Sequence, residues 1–143
     1  PLLLPYCSKS SEQPQLQSEH TQKIKGVLEY IGLHYTENIS IESLASSCYF
    51  SEYHFMRFFK KYVGMSCLDY IKSLRLQKAA DLLEQQELSI TDAAMTAGFS
   101  SLSYFYREFK KRYGTTPRQF IHSLPERQHT NRTSTPGSPF SPL

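Results

Sequence analysis

Ser40-Ile41-Glu42-Ser43-Leu44-Ala45, then Phe50-Ser51, then Phe55-Met56-Arg57-Phe58-Phe59-Lys60-Lys61-Tyr62-Val63-Gly64, form a pattern that the chain uses twice. The second copy is Ser89-Ile90-Thr91-Asp92-Ala93-Ala94, then Phe99-Ser100, then Phe105-Tyr106-Arg107-Glu108-Phe109-Lys110-Lys111-Arg112-Tyr113-Gly114. The offset is 49 residues at the front of the unit (40 to 89) and 50 at the back (55 to 105). One extra residue therefore lies in the turn of the second copy or at the start of its second helix. Repeated units usually perform the same physical job. Each copy reads as a short helix, a turn and a longer basic helix, the outline of a helix-turn-helix. Two in one small chain imply a protein that grips duplex DNA at two places.

Working outward, Ser40 or Ile41 opens the first short helix, with Leu44, Ala45 and Cys48 facing inward. Tyr49-Phe50 makes the turn, Ser51 caps the next helix and Gly64 closes it. In the second copy Ser89 is followed three residues on by Asp92, a capping-box pattern with Asp in place of Glu or Gln. Gly98-Phe99 makes its turn, Ser100 or Ser101 caps its basic helix, and Thr116-Pro117 opens a last short helix with Pro at the first helical position. Phe120 and Ile121 take the places of Tyr70 and Ile71.

Between the copies, Ser66 is the N-cap of a connector reaching about Gln86. Its broadly apolar surface (Leu68, Ile71, Leu74, Leu76, Ala79, Ala80, Leu82, Leu83) implies contact with protein on more than one side. About 20 helical residues span ~30 Å, close to the ~34 Å of one B-DNA turn, so two recognition helices so joined reach successive major grooves. Upstream, Ile24, Val27, Leu28 and Ile31 recur at three- and four-residue intervals on one helix face, with Ser18 or Thr21 as its cap.

Residues 1–17 carry no sustained apolar period and read as a linker or disordered end. The double helix-turn-helix domain is expected over 18–122, divided into 18–65, connector 66–86 and 87–122. Residues 123–143, rich in Ser, Thr, Pro and Gln, are expected to be disordered.

Bulk numbers agree but decide little. The 143 residues make one domain or two very small ones, with a formal charge of +3. Charge segregation says more: Arg57, Lys60, Lys61, Arg107, Lys110, Lys111 and Arg112 crowd the second helix of each copy, while acids such as Glu29, Glu42, Asp81, Glu84 and Asp92 gather elsewhere. Cys7, Cys48 and Cys67 are too few and too scattered for a disulfide framework or a zinc site, and fit reduced thiols in a cytoplasm. Leu2-Leu3-Leu4 is too short for a membrane span. The first residue is not Met, so a piece of a longer protein is expected, with the missing part upstream. No metal spacing, phosphate loop or nucleophile–base motif is present, so neither an enzyme nor a cofactor is expected.

Each basic helix divides into two faces. Phe55, Phe59 and Tyr62, like Phe105, Phe109 and Tyr113, form a core stripe. Tyr53, Met56, Arg57 and Lys60 form the exposed stripe of the first; Leu102, Ser103, Tyr106, Arg107 and Lys110 form that of the second. DNA reading requires this division. Arg bonds guanine O6 and N7 together, apolar atoms touch the thymine methyl, and lysines and helix-start hydroxyls suit phosphates. An ordinary solvated helix face explains one basic helix but not two in register. His54 reads as a solvated surface histidine.

These residues resemble the DNA-binding domain of the AraC/XylS family of bacterial transcription regulators, from about His20 to His122. The resemblance rests on Arg75-Leu76-x-x-Ala79-x-x-Leu82-Leu83, on Ile90-x-x-x-Ala94-x-x-x-Gly98-Phe99-Ser100, and on Tyr104-Phe105-x-Arg107-x-Phe109-Lys110-Lys111-x-x-Gly114-x-Thr116-Pro117. Ile121 departs from it, standing where the family often has Arg. The resemblance implies an all-α fold of about seven helices, two helix-turn-helix subdomains joined by a connector helix. It implies that Tyr53, Met56 and Arg57 read bases in one groove of double-stranded DNA and Leu102, Ser103, Tyr106 and Arg107 in the next. Ser51, Lys60, Lys61, Ser100, Lys110 and Lys111 are expected on phosphates. It further implies an activator that works with RNA polymerase and answers to a small-molecule effector through an upstream domain. A helical protein-interaction scaffold without DNA affinity is the alternative that the basic stripes oppose.

Overall fold

The computed structural model describes residues 5–125, with side chains from Ser18 onward. Among the described residues the chain forms seven helices and no strand: α1 (Pro5–His34), α2 (Ile41–Ser47), α3 (Glu52–Val63), α4 (Cys67–Gln85), α5 (Ile90–Ala97), α6 (Leu102–Tyr113) and α7 (Pro117–His122). Of the expected disordered tail, residues 126–143 lie outside the described residues.

Serine and threonine caps set the helix starts. Ser40, Ser51, Ser89, Ser101 and Thr116 each hold an extended backbone while the side-chain oxygen accepts from the backbone N–H three residues on. Ser66 does the same for Asp69 N, at 3.1 Å. Such caps contribute ~1 kcal/mol each over Ala. The full reciprocal capping box is at α7, where Gln119 also accepts from Thr116 N. Gly64 and Gly114 end the two basic helices in the left-handed region.

The chain divides into two compact units, residues 1–71 and 72–143. In the first, Ile24, Val27 and Ile31 of α1, Leu44 and Ala45 of α2, and Phe55, Phe58 and Phe59 of α3 are buried. In the second, Leu76, Ala79 and Leu83 of α4, Ala93, Ala94 and Ala97 of α5, and Phe105 and Phe109 of α6 form one cluster with Phe99. The second half of α4 thus repeats α1 at an offset of 52: Ile24, Val27 and Ile31 become Leu76, Ala79 and Leu83.

Two expectations are corrected. First, α1 begins at Pro5, so neither Ser18 nor Thr21 caps it and the segment expected as a linker from residue 5 continues the helix. Gln, Glu and Lys in 9–17 are good helix formers, and Pro14 removes one hydrogen bond without ending the run. Second, the division falls inside the connector, and Leu76, Leu82 and Leu83 belong to the core of the second unit, Leu82 only half-buried. Leu68 is 58% exposed. Of the alternatives left open for the second copy, the structure has the extra residue in the turn, as Ser100, and the cap at Ser101: Gly98-Phe99-Ser100-Ser101 replaces Tyr49-Phe50-Ser51.

Cys48 and Cys67 are buried free thiols, and burial pushes the Cys67 thiol up to about 11. Cys7 lies where side chains are not described.

The two turns differ at one strained position. Gly98 sits at φ 110, which glycine takes without penalty; its counterpart Tyr49 sits at φ 63. A left-handed L-residue costs roughly 1–2 kcal/mol, and Tyr49 is 91% exposed, so burial offsets little of it. Tyr49→Gly should raise unfolding stability in urea by roughly 0.5–1 kcal/mol after the extra unfolded-state entropy of glycine is subtracted. A loss of stability would show that the Tyr49 ring contributes more than the strain costs.

Candidate nucleic-acid interface

In each unit a basic helix follows a short helix across a tight turn: α2–α3 and α5–α6. Two fully buried phenylalanines one turn apart fix the roll of each basic helix. Phe55 and Phe59 have ring centroids 6.1 Å apart, Phe105 and Phe109 5.5 Å. With that face inward, Tyr53, Arg57, Lys60 and Lys61 are exposed on α3, and Ser103, Arg107, Lys110 and Lys111 on α6.

The exposed arginines are braced. Arg57 Nη1 donates to the Tyr53 hydroxyl at 2.9 Å, and its guanidinium lies 5.5 Å from the Tyr53 ring centre. Arg107 lies 5.3 Å from the Tyr104 ring centre. An arginine held along its own helix loses less freedom when its donors meet a partner. Arg75 of α4 is half-buried; burial pulls its guanidinium down from its ordinary value, opposed by Tyr104.

Not every expected site residue lies open. Leu102 and Tyr106 are half-buried and packed against the second core, and Met56 is half-buried. The open stripe of α6 is therefore narrower than expected, because Leu102 and Tyr106 lie beside the Phe105–Phe109 face rather than opposite it. Ser51 is exposed and engaged as a cap; Ser100 is exposed in the turn.

Two buried residues were absent from the expected core stripes, Phe58 and its counterpart Glu108. Acids thus do not stay clear of the basic helices: Glu52 opens α3 and Glu108 lies inside α6. Lys72 Nζ of α4 donates to Glu108 Oε1 at 2.9 Å, while Arg107 and Lys111 approach Oε2 at 3.6 and 3.8 Å. The Lys72 hydrogen bond is the first cause that holds the Glu108 carboxyl below its ordinary value, against desolvation and with help from all three cations. The sequence signal was a charge at a position where the other copy has Phe.

Among the described residues no group of three or more His, Cys, Asp or Glu is placed to hold a metal ion, and no helix is long and apolar enough to cross a membrane.

The helix-turn-helix domain family matches residues 44–123. Regulatory protein PocR of Salmonella typhimurium is 32% identical over 125 residues, 87% of this chain and 41% of that protein. The probable transcription factor PqrA of Proteus vulgaris is 39% identical over 84 residues, 59% of this chain and 69% of that protein. This chain belongs to the AraC/XylS-type helix-turn-helix family. The crystal structure of a probable AraC family transcriptional regulator from Rhodopseudomonas palustris is similar to this AraC-type domain with a TM-score of 0.65 at 29% identity, covering 73% of this chain and 99% of that one. The AraC-type domain spans less than half the length of PocR.

Because the folded Glu108 carboxyl sits below its ordinary value of 4.5, its stabilising effect is fully present above that value and lost as pH falls through the depressed folded value. In urea unfolding from pH 6 down to pH 3, the advantage of wild type over Glu108→Gln should therefore shrink below about pH 4.5. An advantage constant across the range would mean that the Lys72–Glu108 pair does not set it.

Proposed function

We propose that this chain is the sequence-specific DNA-binding part of a bacterial transcription regulator, more often an activator in this family, whose α3 and α6 enter two successive major grooves of duplex DNA. The observation that carries this reading is the duplication itself: two capped helices, each rolled by a buried phenylalanine pair so that one Arg-Lys face is open. A solvated helix has no need of the same roll twice. A domain that reads two grooves has.

In this reading Tyr53, Met56 and Arg57 face one set of bases and Ser103 and Arg107 the other, with Leu102 and Tyr106 supporting the second helix as much as contacting DNA. Lys60, Lys61, Lys110 and Lys111, nearer the helix ends, meet phosphates, as do Ser51 and Ser100. The chain acts in the cytoplasm without catalysis. Response to an effector, and any contact with RNA polymerase, belong to the regulator of which this domain is the DNA-reading portion.

Replacing Arg57 or Arg107 with Ala should cost ~1–3 kcal/mol on the preferred duplex and relax preference within one half of the site. Equal weakening on all sequences would exclude base reading. Neutralising Lys60, Lys61 or Lys110 should lower the slope of log affinity against log salt by about 1 without changing preference. Lys111 should lower it less, since Glu108 already shares its charge. Salt-independent or absent DNA binding would favour the protein-interaction scaffold instead.

A further inference from the structure

The first unit has a cleft beside a position at which the second unit carries an ion pair. It lies between α1 and α3, has a volume of about 410 Å³ and is lined by His20, His54, Arg57, Phe58, Lys61 and Tyr62. The rings are fixed against one another: His20 is edge-on to Phe58 at 5.3 Å and to Tyr62 at 5.8 Å, and His54 lies 4.1 Å from Phe50. His20 Nδ1 is 3.0 Å from the Tyr62 hydroxyl. When that hydroxyl donates to Nδ1, Nε2 carries the ring proton.

At the offset of 52 that relates α1 to α4, His20 corresponds to Lys72; at the offset of 50 between the basic helices, Phe58 corresponds to Glu108. In the second unit this position is therefore an internal ion pair, 2.9 Å long, that also draws in Arg107 and Lys111. In the first unit the matching cations, Arg57 and Lys61, face two imidazoles and a phenol, and among the described residues no carboxylate lines the cleft. Lys23 of α1 adds a further cation, 4.7 Å from the Phe50 ring centre. The cleft flanks the open face of α3, where the sugar–phosphate strand beside a groove-bound helix must run. Donors, positive charge and the lack of a lining carboxylate all select an anion.

We propose that the α1–α3 cleft binds one phosphodiester of the DNA backbone, with His20 Nε2 and His54 donating beside the charges of Arg57 and Lys61, while the Tyr62 hydroxyl holds His20 through Nδ1. The proposal rests on the DNA-binding reading above. It makes α1 part of the interface and makes the two units unequal: protonation of the imidazoles strengthens the grip of the first unit only.

The test is fluorescence anisotropy of the full chain on a duplex selected for it, across a salt series at about pH 6 and about pH 8. Wild type should bind severalfold tighter at the lower pH, with a salt slope steeper by about 1. The double variant His20→Phe, His54→Gln should lose both differences, and His54→Gln alone, at an exposed position, should lose part of them without risk to folding. Uncharged methylphosphonate linkages placed one at a time in the duplex should abolish the pH response at one position in the half-site read by α3. A pH response that both variants retain overturns the cleft while leaving DNA binding intact. A response that the variants lose but that every methylphosphonate duplex retains means a free anion occupies the cleft, and overturns the backbone assignment. Absence of DNA binding at both pH values removes the DNA-binding reading and the cleft with it.

Discussion

Everything the two units present outward depends on the phenylalanine pairs Phe55–Phe59 and Phe105–Phe109. All four rings are fully buried and sit one helical turn apart on their helices. Burial of two large side chains at that spacing leaves a helix one way to lie. Emptying one such site costs on the order of 3–5 kcal/mol, a large part of the ~5–15 kcal/mol that holds a small domain folded. The roll is therefore not negotiable, and the opposite face, with Arg57 or Arg107 and the lysines behind it, must look outward. The serine caps set where each helix begins, and Gly64 and Gly114 where it ends, so position along the axis is specified as firmly as rotation about it.

Within this shared frame the two units have diverged where packing allows a choice. One turn uses Gly98, the other a strained Tyr49. One flank of α6 is sealed by Lys72 and Glu108; the same flank of α3 is an aromatic cleft with a cationic rim. The core face is the conserved half of the duplication and the flank the variable half. The first is constrained by close packing and the second mainly by charge. A buried carboxylate beneath exposed Arg107 and Lys111 lessens the positive field of α6, whereas no acid lies inside α3 beyond Glu52 in its first turn.

Much of the fold was legible in the sequence because it is written in rules of short range. The repeat, the serine caps, Pro117 at the start of α7 and the glycine ends are each decided within three or four residues. The core phenylalanines follow from helical period. Other features depend on what lies across the fold. Phe58 was overlooked because α1 covers a third direction of α3, which periodicity within α3 does not announce. Glu108 was overlooked because a charged residue on a basic helix reads as solvated until Lys72 is known to reach it. Three- and four-residue spacing puts Leu102 and Tyr106 on the open stripe, yet each borders the buried face closely enough to pack on it. The length of α1 was misjudged because helix extent was tied to apolar period, whereas Gln, Glu and Lys sustain a helix without one. At the candidate interface, the expectation of Arg57, Arg107 and the four lysines on open helix faces matches their exposure, and the cleft beside His20 was not foreseen.

Two rolled helices that read one DNA site in two parts would leave their spacing in the DNA they select. Selection of bound duplexes from a random pool, followed by sequencing, measures that spacing. The expected result is an enriched site with two boxes whose centres lie about one helical turn, ~10–10.5 bp, apart. Enrichment of a single box, or of none, would contradict it.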